Sequence, residues 1–168
     1  MAAINVKLMN KELENLPEEA LRRAPVWNSF LAKNKKRIEK MDTTIHALHY
    51  KWSERIDCLS CGNCCRVLGP RLTDKDVERL AKATRMKPAA FISQYLRVDE
   101  DGDRVFQSMP CPFLGDDNYC AVYDSRPKAC REYPHTDRKK FYQLYKLSVK
   151  NAETCPIVYR VLDELVTL

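Results

Sequence analysis

Apolar residues recur at spacings of four and three along the N-terminal third of the chain. This pattern predicts an amphipathic helix over 26–53 with a heptad-like apolar seam, and a shorter helix is expected over 17–24. The seam either packs on the chain's own cysteine-rich part, which we favour, or forms a homodimer or a contact with a protein partner. The seam positions are Trp27, Leu31, Ile38, Met41, Ile45, Leu48 and Trp52, with Asn34 as the one polar residue in the series.

Two short helices are predicted in the middle of the chain. Thr73 and Asp76 have the spacing of a capping box and open a segment with one apolar face. Pro88 starts the second segment, because proline is favoured in the first turn of a helix. The joint over 84–87 lacks a glycine and the second helix offers no evident base-reading side chain, so a DNA-binding helix-turn-helix is not favoured. The apolar positions of the pair are Val77, Leu80, Ala81, Phe91, Ile92, Tyr95 and Leu96.

A β-hairpin is expected around Asp101-Gly102, a dipeptide typical of the type I′ turn. In that register Leu96 faces Phe106 and Val98 faces Val105. The acidic tip is too short for a calcium-binding loop, and we interpret it as a solvated turn.

The last third of the chain combines loop and helix. Proline, glycine, aspartate and asparagine are frequent over 111–134, which predicts irregular backbone with one short helix near 125–131. An apolar stripe predicts a C-terminal helix. The fold class is therefore mainly α with a small β-hairpin. We expect a compact, loop-rich helical domain over 57–168, preceded by an N-terminal helical extension over 1–56. The stripe consists of Ile157, Val158, Val161, Leu162 and Leu165.

Charge and hydropathy restrict the class of protein. The 168 residues carry a net charge of +6, and the segments 1–57 and 58–168 each contribute +3, so the charge is evenly spread along the sequence. No run of eighteen apolar residues is present and Met1 to Asn10 lacks the apolar core of a signal peptide, so we expect a cytoplasmic protein without a membrane span. The basic run over 138–150 contains aromatics. We interpret it as the exposed face of a helix whose aromatics lie in the core, and nucleic acid is not an expected partner.

Eight cysteines dominate the candidate chemistry. Two residues between sulfurs suit a loop that folds both thiolates onto one metal, so the chain is expected to bind zinc or an iron–sulfur cluster. Because the adjacent side chains of Cys64 and Cys65 tend to diverge, these two are expected to reach different centres, or one of them to be no ligand. The first four cysteines are Cys58, Cys61, Cys64 and Cys65, and the others are Cys111, Cys120, Cys130 and Cys155.

Three other uses of the cysteines compete with metal binding. Disulfides are not favoured, because the cysteine density is below that of small disulfide-stapled domains and no secretion signal is seen. Unrelated buried thiols would explain Cys155 but not the first four cysteines. A redox pair needs only one C-x-x-C, whereas four sulfurs in one short run fit metal ligation better.

The cysteines form part of a longer motif. The run C-x-x-C-x-x-C-C is followed by Cys111-Pro112-Phe113-Leu114, then by a segment of the form C-x-x-Y-x-x-R-P-x-x-C-R-x-[FY]-P from Cys120 to Pro134, and finally by Cys155. In order and spacing the sequence resembles the zinc- or iron-chelating, YkgJ-like cysteine-cluster family. The resemblance covers about two-thirds of the chain, from Asp57 onward. It implies that all eight cysteines bind metal, and it leaves open which metal and which process.

Basic residues accompany the thiols. We expect Arg66, Arg126 and Arg131 near the cofactor, where they would offset its charge or hold the surrounding loops. For Arg66 and Arg131 a solvated or ion-paired surface position is an equal alternative. Because Pro156 follows Cys155 and opens the C-terminal helix, the Cys155 sulfur is expected at a helix N-terminus, where the macrodipole favours a thiolate.

Zinc and iron–sulfur clusters are both open as cofactors. The near-regular spacing of Cys58, Cys61 and Cys64 with a distal fourth ligand is typical of cluster binding, so a four-iron cluster is favoured and Zn²⁺ is the alternative. His46 and His49 are interpreted as ordinary helix residues and not as ligands, whereas His135 directly follows the motif that ends at Pro134 and could approach the site.

Three functions follow from these cofactors. The first is a metal or cluster module in electron or metal handling. The second is an enzyme or enzyme subunit that uses a cluster with an open coordination position, and the third is a structural zinc protein that acts as an interaction module. A centre with fewer than four cysteines would favour the second. No catalytic residue can be named from the sequence.

Overall fold

The structure is a computed structural model. It describes residues 6–168, and the side chains of 14–59 and 61–168. The described helices are α1 (Val6–Ile38), α2 (Asp42–Ser53), α3 (Cys58–Cys61), α4 (Asn63–Val67), α5 (Asp74–Ala83), α6 (Pro88–Tyr95), α7 (Lys128–Glu132), α8 (Tyr145–Asn151) and α9 (Pro156–Leu165). Strands β1 (Leu96–Val98) and β2 (Arg104–Phe106) form one antiparallel sheet. The chain is thus mainly helical with a small hairpin, as predicted.

The chain packs into two compact units. Unit 1 comprises residues 1–63 and 134–168, and unit 2 comprises 64–133. The N-terminal helices therefore group with the C-terminal ones. The predicted domain boundary after residue 56 concerns independent folding and stays a prediction.

The helix predicted over 26–53 is interrupted. Asn34 has non-helical backbone angles (φ −121°, ψ 21°), and its side-chain amide donates to the Phe30 carbonyl at 3.0 Å. The helix ends at Ile38, and α2 begins at Asp42 after a short turn. A polar side chain that competes for backbone acceptors explains the bend. The helix predicted over 17–24 lies within α1, which has both Pro17 and Pro25 in its interior.

The apolar seam of α1 and α2 is buried inside unit 1. Trp27, Ile38 and Ile45 are fully buried, and the five stripe positions of α9 are buried as well. The rings of Trp27 and Tyr159 meet edge to face at 5.4 Å, and the Tyr145 hydroxyl donates to the Trp27 carbonyl at 3.1 Å. The seam therefore packs against the chain's own C-terminal helices, the use that we favoured.

Unit 2 is built on the predicted helix pair. The capping box of α5 is present: the Thr73 hydroxyl accepts from the Asp76 amide, and the Asp76 carboxylate accepts from the Thr73 amide. Phe91 of α6 is fully buried and stacks parallel to Phe113 with ring centroids 6.2 Å apart. Leu80 and Phe106 complete this core from α5 and β2.

The hairpin differs from the prediction in one pair and in its turn. Leu96 pairs with Phe106 as expected, but Val98 pairs with Arg104 and not with Val105. A type I′ turn needs positive φ at both central residues, whereas Gly102 (φ 81°) has a positive φ and Asp101 does not. The Asp99 carboxylate accepts from the amides of Asp101 and Asp103, and this lengthens the loop.

Irregular backbone fills most of 111–134, as predicted. A 3₁₀ turn spans Tyr123–Ser125, and the short helix α7 begins at Lys128, close to the predicted position. Within the described residues, no helix is both long enough and apolar enough to cross a membrane.

Candidate metal centre

The structure divides the eight cysteines between the two units. Unit 1 contains Cys58, Cys61 and Cys155, and unit 2 contains Cys64, Cys65, Cys111, Cys120 and Cys130. All eight are reduced thiols in the structure. The run C-x-x-C-x-x-C-C is therefore split after its second cysteine.

The single turn of α3 presents the first two thiols of unit 1. The Gly62 amide donates to the Cys58 carbonyl at 2.9 Å, and Gly62 has a positive φ of 55° that ends the turn. Residues three apart in a helix lie on one face, so Cys58 and Cys61 share a face of α3.

Cys155 is the N-cap residue of α9, as the sequence predicted. Burial raises the pKa of its thiol to about 12, while the amides of Val158 and Ile157 act in the opposite direction. Negative charge on Cys58 and Cys61 raises this pKa further. The three thiols of unit 1 thus interact electrostatically, and burial outweighs the favourable helix terminus.

Sequence reasoning missed Asn63, which fixes the approach to Cys155. Its side-chain amide donates to the carbonyl of Thr154 at 2.7 Å. This bond ties the residue that follows α3 and Gly62 to the residue before Cys155. The sequence signal that could have identified Asn63 is its position between Cys61 and Cys64, inside the cysteine run.

Unit 2 brings Cys64 and Cys65 into contact. A hydrogen bond from Cys64 lowers the pKa of Cys65 to about 7; burial opposes this shift, and the charges of Arg66 and Arg126 support it. Contact between the two does not decide which of them binds metal, so the expectation that they reach different centres, or that one is no ligand, stays a prediction. The backbone of α4 is helical, so neighbouring side chains do not point to opposite faces.

A backbone hydrogen bond joins Cys111 to Cys65. The Cys111 amide donates to the Cys65 carbonyl at 2.8 Å, and the Leu114 amide closes a turn on the Cys111 carbonyl at 3.0 Å. Burial raises the pKa of the Cys111 thiol to about 11, and charge on Cys65 and Cys120 adds to the effect. The amides of Phe113 and Leu114 act in the opposite direction.

The remaining thiols of unit 2 belong to the same electrostatic group. Burial raises the pKa of Cys130 to about 12, and charge on Cys65, Cys111 and Cys120 raises it further. Burial also raises the pKa of Cys120, to which charge on Cys65 contributes. Charge on Cys65 thus disfavours ionisation of Cys111, Cys120 and Cys130, an effect that a bound cation would relieve.

Arg126 is the cation that acts on most of these thiols. Its charge lowers the pKa of Cys65, Cys120 and Cys130. Its guanidinium carbon lies 3.3 Å from the ring centroid of Tyr123, and its Nε is buried without a hydrogen-bond acceptor among the described residues. A buried N–H of this kind suits a metal-bound thiolate or a cluster sulfide as its acceptor.

The other two arginines differ in their surroundings. Arg66 donates to the side-chain oxygen of Asn118 and lowers the pKa of Cys65. Arg131 is exposed and donates to the carbonyl of Arg126. Arg66 and Arg126 therefore act on thiol pKa values through their charge, whereas Arg131 contacts the backbone that carries Arg126.

An ion pair missed by the sequence analysis positions Arg126 and α7. The Asp76 carboxylate accepts from the Arg79 guanidinium at 2.5 Å and from the Lys128 amide at 2.9 Å. Arg79 also donates to the carbonyls of Ser125 and Arg126, at 3.2 and 2.6 Å. The capping box predicted Asp76, but only as a local contact within α5.

The histidines contact other parts of unit 1. His46 Nε2 lies 3.1 Å from the Arg138 carbonyl, and His49 Nδ1 lies 2.7 Å from the Thr136 hydroxyl. His135 has a left-handed backbone with φ 68°. His46 and His49 thus connect α2 to the segment before α8.

The donor set fits a thiophilic metal. All candidate donors are cysteine sulfurs, they interact in groups of three and five, and the group of five is accompanied by the buried Nε of Arg126. In the structure, no three histidine, cysteine or carboxylate residues among those described are arranged to hold a metal ion. The fit therefore rests on the chemistry of the donors.

Comparison with known families identifies the class of protein. The model of a family described as "putative zinc- or iron-chelating domain", named for the motif CxxCxxCC, matches residues 57–156. The match covers more than half of the chain and includes all eight cysteines, so the chain belongs to this family. No curated protein and no solved structure matches the chain.

Proposed function

We propose that the protein is a metal or cluster module in which the two thiol groups form two separate centres. In unit 2, Cys65, Cys111, Cys120 and Cys130 are the four ligands, and Cys64 is the hydrogen-bond partner of Cys65. The observation that carries this proposal is that charge on Cys65 raises the pKa of the three other partly buried thiols, while the cation Arg126 lowers the pKa of Cys65, Cys120 and Cys130. We favour a four-iron cluster here, with Zn²⁺ as the alternative.

Residues of the chain supply specific support for such a centre. The buried Nε–H of Arg126 would donate to cluster sulfide or to thiolate, and the turn over 111–114 directs amides toward the Cys111 sulfur. A bound cluster would supply one-electron chemistry, and zinc would supply structural cross-linking. Electron or metal handling is the function that the cluster would serve.

A second candidate function comes from the three-thiol group of unit 1. Charge on Cys58 and on Cys61 acts on Cys155, and three protein ligands leave one position of a tetrahedral metal or a cluster open. An open position binds water, substrate or an external donor. The three-thiol group therefore supports a second function for the protein, as an enzyme or enzyme subunit whose substrate binds at the open position of the unit 1 centre.

The test is anaerobic purification followed by iron, zinc and acid-labile sulfide analysis and an ultraviolet–visible spectrum. Iron with sulfide and a visible absorption that bleaches on reduction would support the cluster. Zinc without sulfide would replace the cluster by the alternative. Protein that stays metal-free and folded after anaerobic reconstitution with either metal would refute the proposal.

Single substitutions separate the two centres. Cys130→Ser should remove the metal of unit 2 alone, and Cys155→Ser should remove that of unit 1 alone. Ala129→Ser and Thr154→Ser are matched controls that alter the neighbouring residue without removing a sulfur. Loss of all metal in both cysteine variants, with both controls fully loaded, would contradict two separate centres.

A separate measurement tests whether the centre of unit 1 has an open coordination position. Adding cyanide or imidazole to the loaded protein should change the metal spectrum of the wild type and of Cys130→Ser, because both retain the centre of unit 1. The change should be absent from Cys155→Ser. In iron-loaded protein, an unchanged wild-type spectrum at saturating ligand would exclude an open position.

A further inference from the structure

Two basic segments that are distant in sequence lie together on unit 1. The carboxylate of Asp42 accepts from the backbone amides of Lys140 and Phe141, at 2.5 and 3.0 Å. The ring of His46 meets the Arg138 carbonyl at 3.1 Å. These bonds place the segment 137–140 beside the turn that joins α1 to α2. We call the combined surface of 33–42 and 137–140 the basic surface.

This surface holds most of the excess charge of the protein. It contains eight cations and three carboxylates, a net charge of +5, and the whole chain has +6. The segments 33–42 and 137–140 carry net charges of +3 and +2. Asp42 and Lys140 are 98 residues apart in the sequence, so folding brings these two excesses together. The cations are Lys33, Lys35, Lys36, Arg37, Lys40, Arg138, Lys139 and Lys140, and the carboxylates are Glu39, Asp42 and Asp137.

The lysines of this surface are available to an external anion. Lys35, Lys36, Lys40, Lys139 and Lys140 are exposed and form no ion pair with any residue that the structure describes. One of the three carboxylates, Asp42, is already engaged by two backbone amides. Lys35 and Lys36 lie in the last turn of α1, where the helix dipole favours positive charge, and this explains their position. The dipole of α1 does not explain Lys139 and Lys140.

The composition of the surface favours a phosphodiester backbone over other polyanions. Neither segment contributes an exposed large apolar side chain, although protein interfaces and membrane-inserting surfaces are built around such groups. Lysines on flexible stems neutralise phosphates without reading bases. Phe141 is fully buried, so it anchors the second segment and does not stack on a base.

We propose that the basic surface binds single-stranded nucleic acid through its phosphates, without sequence specificity. The basic run over 138–150 alone gave little reason to expect this. The new observation is that a second basic run, at the end of α1, leads directly into Asp42, whose carboxylate is bonded to the amides of Lys140 and Phe141. The proposal concerns residues outside both thiol groups, so it does not depend on the metal.

The test is binding of a fluorescein-labelled oligouridylate, followed by fluorescence anisotropy over a range of salt concentrations. If about five lysines contact phosphates, the slope of log K against log salt should be about −3.5. Lys36→Gln and Lys139→Gln should each reduce its magnitude by about 0.7, and the double variant by about 1.4. The double variant should bind about tenfold more weakly at low salt.

The control removes the same charge from unit 2. Lys75 and Lys82 are exposed on α5, and Lys75→Gln/Lys82→Gln should leave both affinity and slope unchanged. Equal losses in this control would show a general charge effect and overturn the proposal. A loss in only one of the two single variants would show that the runs do not act as one surface.

Vesicles distinguish the remaining source of phosphate. The same protein is tested against vesicles of phosphatidylserine and phosphatidylcholine by co-sedimentation. Binding to these vesicles without binding to oligouridylate would replace nucleic acid by a membrane surface and overturn the proposal. Circular dichroism melting curves that match the wild type show that each variant is folded.

Discussion

Asp76 accepts a hydrogen bond from the backbone amide of Lys128, 52 residues further along the chain, at 2.9 Å. The same carboxylate caps α5 and pairs with Arg79, which holds the carbonyls before α7. One buried carboxylate therefore fixes both the start of α5 and the start of the helix that carries Cys130. Its contribution can be measured without any metal.

Asp76→Asn should destabilise unit 2. Burial alone would raise the pKa of Asp76, but hydrogen bonds from Thr73, Arg79 and Lys128 lower it to about 2. A carboxylate with a depressed pKa stabilises the fold above its unfolded pKa of about 4, and this stabilisation is lost as the pH falls toward 2. We expect a loss of about 2–3 kcal/mol in the free energy of unfolding at neutral pH, measured by urea denaturation.

The neighbouring carboxylate provides the control for this loss. Asp74 lies in the same helical turn and pairs with Arg104, but its side chain is 83% exposed. Asp74→Asn should cost no more than about 1 kcal/mol. Equal destabilisation by the two variants, or a wild-type stability that does not fall below pH 4, would contradict the role given to Asp76.

Arg126→Gln should weaken metal binding by the thiols of unit 2. The substitution removes the positive charge that lowers the pKa of three of these thiols. It also removes the buried Nε–H group. With Zn²⁺ as the probe, we expect an affinity about tenfold lower, measured by competition with a chromophoric chelator. Arg126→Lys keeps the charge and should lose less.

Arg131→Gln serves as the comparison for Arg126. Arg131 is exposed, and its guanidinium donates to the Arg126 carbonyl. Its substitution should change zinc affinity by less than about twofold. An Arg131 variant that binds zinc as weakly as the Arg126 variant would assign the effect to the fold of the segment and not to the Arg126 guanidinium.

His49→Gln should remove a pH dependence of the stability of unit 1. Burial lowers the pKa of His49, with His46 adding to the effect and Asp137 opposing it. Because the unfolded state then binds the proton more readily, the wild type should lose stability as the pH falls through the ordinary histidine pKa of about 6.5. Urea denaturation at a series of pH values between about 7.5 and 5.5 measures this slope.

His46→Gln leaves His49 in place and should retain that slope. His46 contacts a backbone carbonyl from the exposed side of α2, whereas His49 is half-buried against the Thr136 hydroxyl. Should the His49 variant keep the full wild-type slope, another group must carry the pH dependence.

Tyr145→Phe should destabilise unit 1 by about 1 kcal/mol. The Tyr145 ring is fully buried, and its hydroxyl donates to the Trp27 carbonyl at 3.1 Å. Tyr142 is half-exposed, so Tyr142→Phe is the matched control and should be nearly neutral. Thermal melts of both variants measure the difference, and a neutral Tyr145→Phe would show that the buried hydrogen bond adds no net stability.

The sequence correctly predicted those helices that are marked by contacts between residues three or four positions apart. The stripe on α9 and the capping box at Thr73 and Asp76 depend on residues three or four apart, and both were predicted correctly. The break in the long helix was not predicted, because the 4-3 spacing of apolar residues continues through Asn34. The bend is shown by the non-helical backbone angles of Asn34 and by the hydrogen bond from its side chain to the Phe30 carbonyl.

Long-range contacts explain what the sequence did not reveal. The two-residue turn expected at Asp101-Gly102 ignored the ability of Asp99 to hold two amides, and the Val98 pairing shifted with it. The hydrogen bond from the Arg79 guanidinium to the Arg126 carbonyl joins residues 47 apart, so no local sequence pattern could indicate it. The division of the cysteine run between two units likewise depends on packing, not on spacing.

The burial of Trp27 has a practical consequence for following the protein in solution. The chain has two tryptophans, and both Trp27 and Trp52 belong to unit 1. Trp27 is fully buried, whereas Trp52 is partly exposed and has Lys51 and Arg55 about its ring. Intrinsic tryptophan emission is therefore an optical signal of unit 1 alone, with a blue-shifted component from Trp27, while unit 2 emits only through its tyrosines.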